Sequence, residues 1–179
     1  MRRVMVIGSA GAGKSTFARR LGPLLGLEVI HLDAEHWGAG WAEPPRDEWR
    51  RKVTELAARD SWVIDGNYSG TLDVRLDACD TVIFLDLPRV LCVWRVLKRV
   101  VTYRRGGRPD IPEGCDERFD FKFLLWVWNY PRRTRPRVLR LIEERAKGKR
   151  VYRLRTRAEI EGFLTRLGAG RSAEEKATV

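Results

Sequence analysis

Gly8-Ser9-Ala10-Gly11-Ala12-Gly13-Lys14-Ser15 decides the reading of this chain, because it fits G-x-x-x-x-G-K-[ST] without a mismatch. Its flanks fit as well. Val4-Met5-Val6-Ile7 is a short apolar run of the kind that forms a buried parallel strand. Beyond the motif, Lys14 to Leu25 reads as a helix with Phe17, Leu21, Leu24 and Leu25 on one face. In such a loop the glycines let the backbone curl around phosphate oxygens, and the first helical turn adds the positive end of its dipole. The expected ligand is a nucleoside triphosphate, ATP, held along Gly8, Ser9, Ala10, Gly11, Ala12, Gly13, Lys14, Ser15 and Thr16. Lys14 is expected to reach the β- and γ-phosphates and Ser15 to ligate Mg²⁺.

Outward from the motif, apolar runs and helical periodicities alternate, which predicts an α/β fold: a parallel sheet with helices on both faces. Strands are expected at residues 3–7, 28–32, 62–65, 81–85 and 150–154, and helices at 14–25, 46–59, 89–103, 119–147 and 158–167. The fourth helix is expected to break near Pro131 and Pro136, and Thr156-Arg157-Ala158-Glu159 has capping-box spacing for the last. Two stretches look irregular, 34–45 and 104–116, and both leave from the sheet edge where ligands bind in open α/β folds. They read as an acceptor-side insertion and a lid. Residues 1–167 form the expected single domain, and the small polar tail 168–179 is expected to be disordered.

Composition narrows the class further. No stretch approaches the ~20 apolar residues of a membrane span, and the N-terminal apolar run flows straight into the loop motif, unlike a secretory signal. The cysteines, Cys79, Cys92 and Cys115, are odd in number and lack metal spacing, which suits free thiols in a reducing cytoplasm. Net charge is +11, yet residues 89–157 alone hold 17 Arg and 4 Lys against 7 acids. Such a segment attracts nucleic acid, an acidic surface or a polyanionic small ligand, and ATP needs no further assumption.

Phosphoryl transfer needs a metal, cations around the transferred group and a residue to orient or deprotonate the acceptor. Asp33, after the second strand, is a candidate base or water-mediated Mg²⁺ ligand, or else a turn cap. Asp65 ends the third strand in Trp62-Val63-Ile64-Asp65-Gly66-Asn67-Tyr68 and resembles a Walker-B aspartate. Gly66 would admit a ligand close to the backbone, while Asn67 and Tyr68 would hydrogen-bond or stack on the acceptor. Asp86 is read as the cap of the helix that Pro88 opens, and His31 as a packed strand residue. Arg95, Lys98 and Arg99 share a helical face leading into Arg104, Arg105 and Arg108. Arg95, Arg99 and Arg108 are the expected lid arginines. Trp37, Trp41 and Trp49 either stack on a ring or pin their loop. Phe121–Tyr130 is apolar nearly all round, suggesting a core helix or a homodimer interface. Pro131-Arg-Arg-Thr-Arg-Pro-Arg137 reads as phosphate-site arginines or as a nucleic-acid patch.

Taken in order, Val-Ile-Gly-Ser-Ala-Gly-Ala-Gly-Lys-Ser-Thr, His-Leu-Asp, Trp-Val-Ile-Asp-Gly-Asn-Tyr, Ile-Phe-Leu-Asp-Leu-Pro-Arg and Trp-Asn-Tyr-Pro-Arg-Arg resemble the small bacterial P-loop proteins known as DNA topology modulation proteins, relatives of adenylate and shikimate kinases. The resemblance spans about residues 1–167. It implies a P-loop NTPase fold of nucleoside-monophosphate-kinase type, five parallel strands ordered 2-3-1-4-5, with ATP on the loop and an acceptor between Asp33 and Asp65–Tyr68. Where adenylate kinases have Asp-Gly-Phe-Pro-Arg, this chain has Asp-Gly-Asn-Tyr, so the arginine for an acceptor phosphate is absent there unless Arg75 replaces it. Without an obvious second phosphate site, a neutral hydroxyl compound or nucleoside is the favoured acceptor. The sequence thus points to an ATP- and Mg²⁺-dependent small-molecule kinase with Lys14, Asp33, Arg95, Arg99 and Arg108 as catalytic residues and Ser15, Asp33 and Asp65 around the metal. The rival is a nucleic-acid-associated regulatory ATPase.

Overall fold

Period-two alternation in the strands separates two apolar layers. Met5, Ile7, Ile64, Val82 and Phe84 point to one face of the sheet, and Val4, Val6, Val63, Ile83 and Leu85 to the other. All ten are essentially sealed from water. The computed structural model describes residues 1–103, 111, 115 and 119–177. Its sheet consists of β1 (Arg3–Gly8), β2 (Val29–His31), β3 (Trp62–Asp65), β4 (Thr81–Leu85) and β5 (Arg150–Leu154). The strands are all parallel and lie in the order β2-β3-β1-β4-β5, as the family resemblance implied.

The first face is covered by α3 (Arg46–Ala58), α4 (Leu72–Ala78) and α7 (Arg135–Arg145), through Trp49, Val53, Leu56, Leu72, Leu76, Val138 and Ile142. The second is covered by α1 (Lys14–Leu25), α5 (Arg89–Thr102) and α8 (Arg157–Ala177), through Phe17, Leu21, Cys92, Val96, Phe163 and Leu164. Between them, α6 (Phe121–Arg133) gives Tyr130 to one cluster and Val127 to the other. A short helix, α2 (Leu32–His36), follows β2 directly.

Several expectations are revised here. Leu32 starts a helix instead of ending a strand, which places Asp33 in that helix's first turn. The 34–45 stretch is partly ordered by α2, a 3₁₀ turn at Ala39–Trp41 and a Gly38–Ala42 bridge. Thr134 divides the long helix into α6 and α7, and Pro131 stays inside α6. The helix is not a core element for most of its length: Phe121, Leu125 and Trp128 are exposed. Beyond Leu167, α8 continues to Ala177, because Ala169, Ala173, Glu174, Glu175 and Lys176 are strong helix formers. No helix among the described residues is long and apolar enough to cross a membrane.

Candidate active site

Parallel pairing brings three strand ends to one edge. Asp65 lies in register with Val6 on β1 and His31 on β2, so its carboxylate emerges beside the loop that follows β1. The Ser15 hydroxyl donates to Asp65 Oδ2 at 2.9 Å, and His31 Nδ1 is hydrogen-bonded to Asp65 Oδ1. Asp65 is itself 3% exposed, so it acts on the cleft through Ser15. His31 is more than packing: it fixes the other oxygen of this carboxylate.

The loop has the conformation its glycines permit. Gly11 sits at φ +75°, and a Cβ there would lie 2.2 Å from the Cys92 carbonyl oxygen, so both backbone angle and space demand glycine. Lys14 Nζ donates to the Ser9 carbonyl at 3.2 Å, folded back along the loop. Arg95 Nη1 donates to the Gly11 and Ala12 carbonyls at 3.4 Å each, bracing the loop from α5. It does not line the cleft, whereas Arg99 does, with its guanidinium 5.9 Å from the Phe123 ring centre. Lys98 is exposed beside Trp94 on another side of the helix. Arg104, Arg105 and Arg108, with most of the expected lid, lie outside the described residues.

A cleft of about 640 Å³ runs from the loop toward the 34–45 stretch. Its floor is Gly11, Gly13, Lys14, Ser15 and Thr16. At the far end stand Asp33, Trp37, Trp41 and Tyr68, and along one side Arg99, Phe123 and Trp126. The Tyr68 hydroxyl donates to Asp33 Oδ1 at 2.9 Å. The Tyr68 ring is held by His36 at 4.6 Å and Trp49 at 5.0 Å between centres. The tryptophans therefore divide by role. Trp49 is core at 7% exposure, while Trp37 and Trp41 pack edge to face at 5.3 Å on the cleft wall. Burial in this aromatic nest lowers the His36 pKa, partly offset by Glu43 and Asp33.

Three sequence readings change on inspection of contacts. Gly66, at φ +145°, is required by protein rather than ligand: a Cβ would meet Leu32 Cβ at 2.7 Å. Asp86 does not cap α5. It holds Arg153 through Nε at 2.9 Å and Nη2 at 2.6 Å, with Arg135 3.6 Å away, because two guanidinium groups outcompete one helix terminus for the carboxylate. Nor does Arg75 stand in as an acceptor-phosphate arginine. It is wholly buried and donates to the carbonyls of Gly66 at 2.8 Å, Tyr68 at 2.9 Å and Thr71 at 3.3 Å. Burial lowers its pKa to about 10.

Cleft residues missed in the sequence include Arg19, Phe123 and Trp126. Arg19 was within reach of helical spacing, four residues after Ser15 on α1, and Phe123 and Trp126 stand at i and i+3 on α6. Asp120 caps α6 by accepting from the Lys122 and Phe123 amides at 2.8 and 3.1 Å, and also faces the cleft.

The sheet order, the glycine loop leaving its central strand and the serine–aspartate pair beneath it define a P-loop α/β protein. No family model matches the chain, and no curated protein does. Solved structures do. An unliganded sugar kinase from Janibacter is 24% identical with a TM-score of 0.53, covering 92% of this chain and 93% of its own. Deoxyadenosine kinase from M. mycoides with bound dATP is 12% identical with a TM-score of 0.51, covering 92% and 98%. Shikimate kinase from Bacteroides thetaiotaomicron is 16% identical with a TM-score of 0.50, covering 96% and 98%. At these identities the likeness is one of fold.

Proposed function

We propose that this chain is an ATP- and Mg²⁺-dependent kinase that phosphorylates a hydroxyl group on a small molecule. The observation that carries the reading is one continuous cleft joining Lys14 and Ser15 at one end to the Asp33–Tyr68 pair at the other. The loop amides and Lys14 bind the β- and γ-phosphates, and Arg99 faces the same space from the side. Asp33, oriented by the Tyr68 hydroxyl, accepts the proton of the attacking hydroxyl. The Ser15 hydroxyl offers an oxygen ligand of the kind that suits Mg²⁺ arriving with a triphosphate, and the buried Asp65 carboxylate holds that hydroxyl from beneath. The metal, when bound, would spread the charge building on the phosphate oxygens. The kinases of similar fold are named for a sugar, deoxyadenosine and shikimate, all hydroxyl compounds.

The test follows ATP by ³¹P NMR with Mg²⁺ and pooled hydroxylated metabolites. A new phosphoester resonance is expected with the wild-type chain and at least ~10³-fold less of it with Lys14→Ala. Equal turnover by that variant would overturn the reading. The topology-modulation resemblance supports a second reading, an ATPase acting on DNA, and the exposed Arg132, Arg133, Arg137 and Arg140 are the observation in its favour. Its mark is phosphate release stimulated by DNA, without any new ester.

A further inference from the structure

We propose that the acceptor is itself a phosphate monoester, and that Arg133 and Arg137 hold its phosphate while Asp33 receives its hydroxyl proton. The proposal deepens the kinase reading and rests on it. A second cavity of about 310 Å³ adjoins the main cleft, and Tyr68 and Trp126 line both. Its remaining walls are Asn67, Ser69, Arg133, Thr134 and Arg137.

The two arginines meet there for a local reason. Thr134, between α6 and α7, keeps a helical backbone at φ −95° and ψ −44°. Its N–H donates to the Tyr130 carbonyl at 3.0 Å, and its own carbonyl accepts from Val138 at 3.1 Å. Helical register therefore passes through the junction, and residues 133 and 137, four apart, share a side. Neighbouring arginines brace the protein: Arg135 and Arg153 on Asp86 at 3.6 and 2.6 Å, and Arg145 on Asp77 at 2.7 Å. Among the described residues, Arg133 and Arg137 have no carboxylate partner. They are exposed, and they face a concavity instead of an acid.

The donor set selects the ligand. Two guanidinium forks, the Asn67 amide and the Ser69 and Thr134 hydroxyls suit the three terminal oxygens of a phosphate dianion. One fork would satisfy a carboxylate, and a neutral acceptor would leave both forks idle. A phosphate in the second cavity and a hydroxyl at Asp33 place the body of the substrate across Tyr68 and Trp126. A sugar phosphate has that form. In the step, the acceptor oxygen bonds to the γ-phosphorus as the bond to the β,γ-bridging oxygen breaks. Asp33 takes the hydroxyl proton, ADP leaves, and the product carries two phosphates. The sequence pointed to a neutral acceptor because Arg133 and Arg137 are remote from the Asp-Gly-Asn-Tyr segment along the chain.

The experiment uses the full chain and two readouts. Intrinsic tryptophan fluorescence, to which Trp126 contributes beside six other tryptophans, is titrated with ribose 5-phosphate, glucose 6-phosphate and glycerol 3-phosphate, and with ribose, glucose, glycerol and gluconate. Turnover with ATP is followed on the same panel. At least one monoester is expected to bind and to be phosphorylated, ahead of its unphosphorylated counterpart. Arg133→Ala and Arg137→Ala should each raise its KM or Kd about 10- to 100-fold, leaving kcat and the ATP KM little changed, with Arg133→Lys intermediate. If a monoester binds through the arginines but nothing is phosphorylated, the phosphate site stands and the kinase reading falls. If gluconate or a neutral compound is the preferred acceptor, or both alanine variants bind monoesters as wild type does, the proposal is overturned. Failure of every monoester to bind overturns it too, as does a single-stranded oligonucleotide being the one anion whose binding needs Arg133 and Arg137.

Discussion

Arg75 shows how much one buried side chain can organise. Its guanidinium gathers the carbonyls of Gly66, Tyr68 and Thr71, so the segment carrying Asn67 and Tyr68 is shaped from α4. Arg75→Met strips donors from buried carbonyls and should lower unfolding free energy by about 2–4 kcal/mol in urea titration. It should also raise the acceptor KM more than the ATP KM, since the damage falls at the acceptor end. His36 gives a pH signature. Burial favours its neutral form in the folded protein, whereas the unfolded ring titrates near 6.5. Its contribution is therefore complete above that value and is lost as pH falls below it. The urea midpoint should drop between about pH 7 and 5, less steeply in His36→Gln. Placement at the cleft was readable from sequence where the signal is local, as in Gly11, Lys14 and Ser15. The role of Arg75 was not, because its partners are backbone carbonyls that the fold gathers. Nor was the lack of a carboxylate partner for Arg133 and Arg137 among the described residues, which depends on which acids the fold brings near.

At the level of elements, strands and long helices follow from periodicity alone, and α1, β3, β4 and β5 have the bounds their hydrophobic patterns predict. Short elements escaped. Leu72-Asp-Val-Arg-Leu-Asp-Ala is a single seven-residue helix, too brief for a repeating pattern, and it is fixed by burying Leu72, Arg75 and Leu76. Leu32 looked like strand because apolar character continues from Ile30, but its side chain packs beneath Gly66 once the chain has turned helical. The cap of α8 was readable, with a difference. Thr156 Oγ1 accepts from the Glu159 amide at 3.1 Å, and Glu159 reaches back to the Arg155 amide at 2.7 Å, one residue before the usual partner. Thr156→Ala should cost about 1 kcal/mol in denaturant titration, with nucleotide affinity unchanged.

For the whole molecule, stability and ligand binding are linked. A triphosphate that binds only the folded chain adds about 2.7 kcal/mol at a hundredfold excess over its Kd. Magnesium ATP should therefore raise the Tm of the wild-type chain, while Lys14→Ala should show little shift at the same concentration. The linkage can be read without knowing the acceptor. Exposed Val90, Trp94 and Val101 on α5 and Phe121 and Trp128 on α6 lie away from the two buried clusters, so substitutions there should leave that nucleotide-induced shift intact. The anchoring of the Asp65–Tyr68 segment also has a mechanical meaning. Its start is β3, paired on both sides, its glycine is wedged against Leu32, and its carbonyls are clasped by a buried cation. On the proposed reading this segment is an anvil, and a tightening around bound substrates would come from the helices that carry Arg99, Phe123 and Trp126 across the cleft.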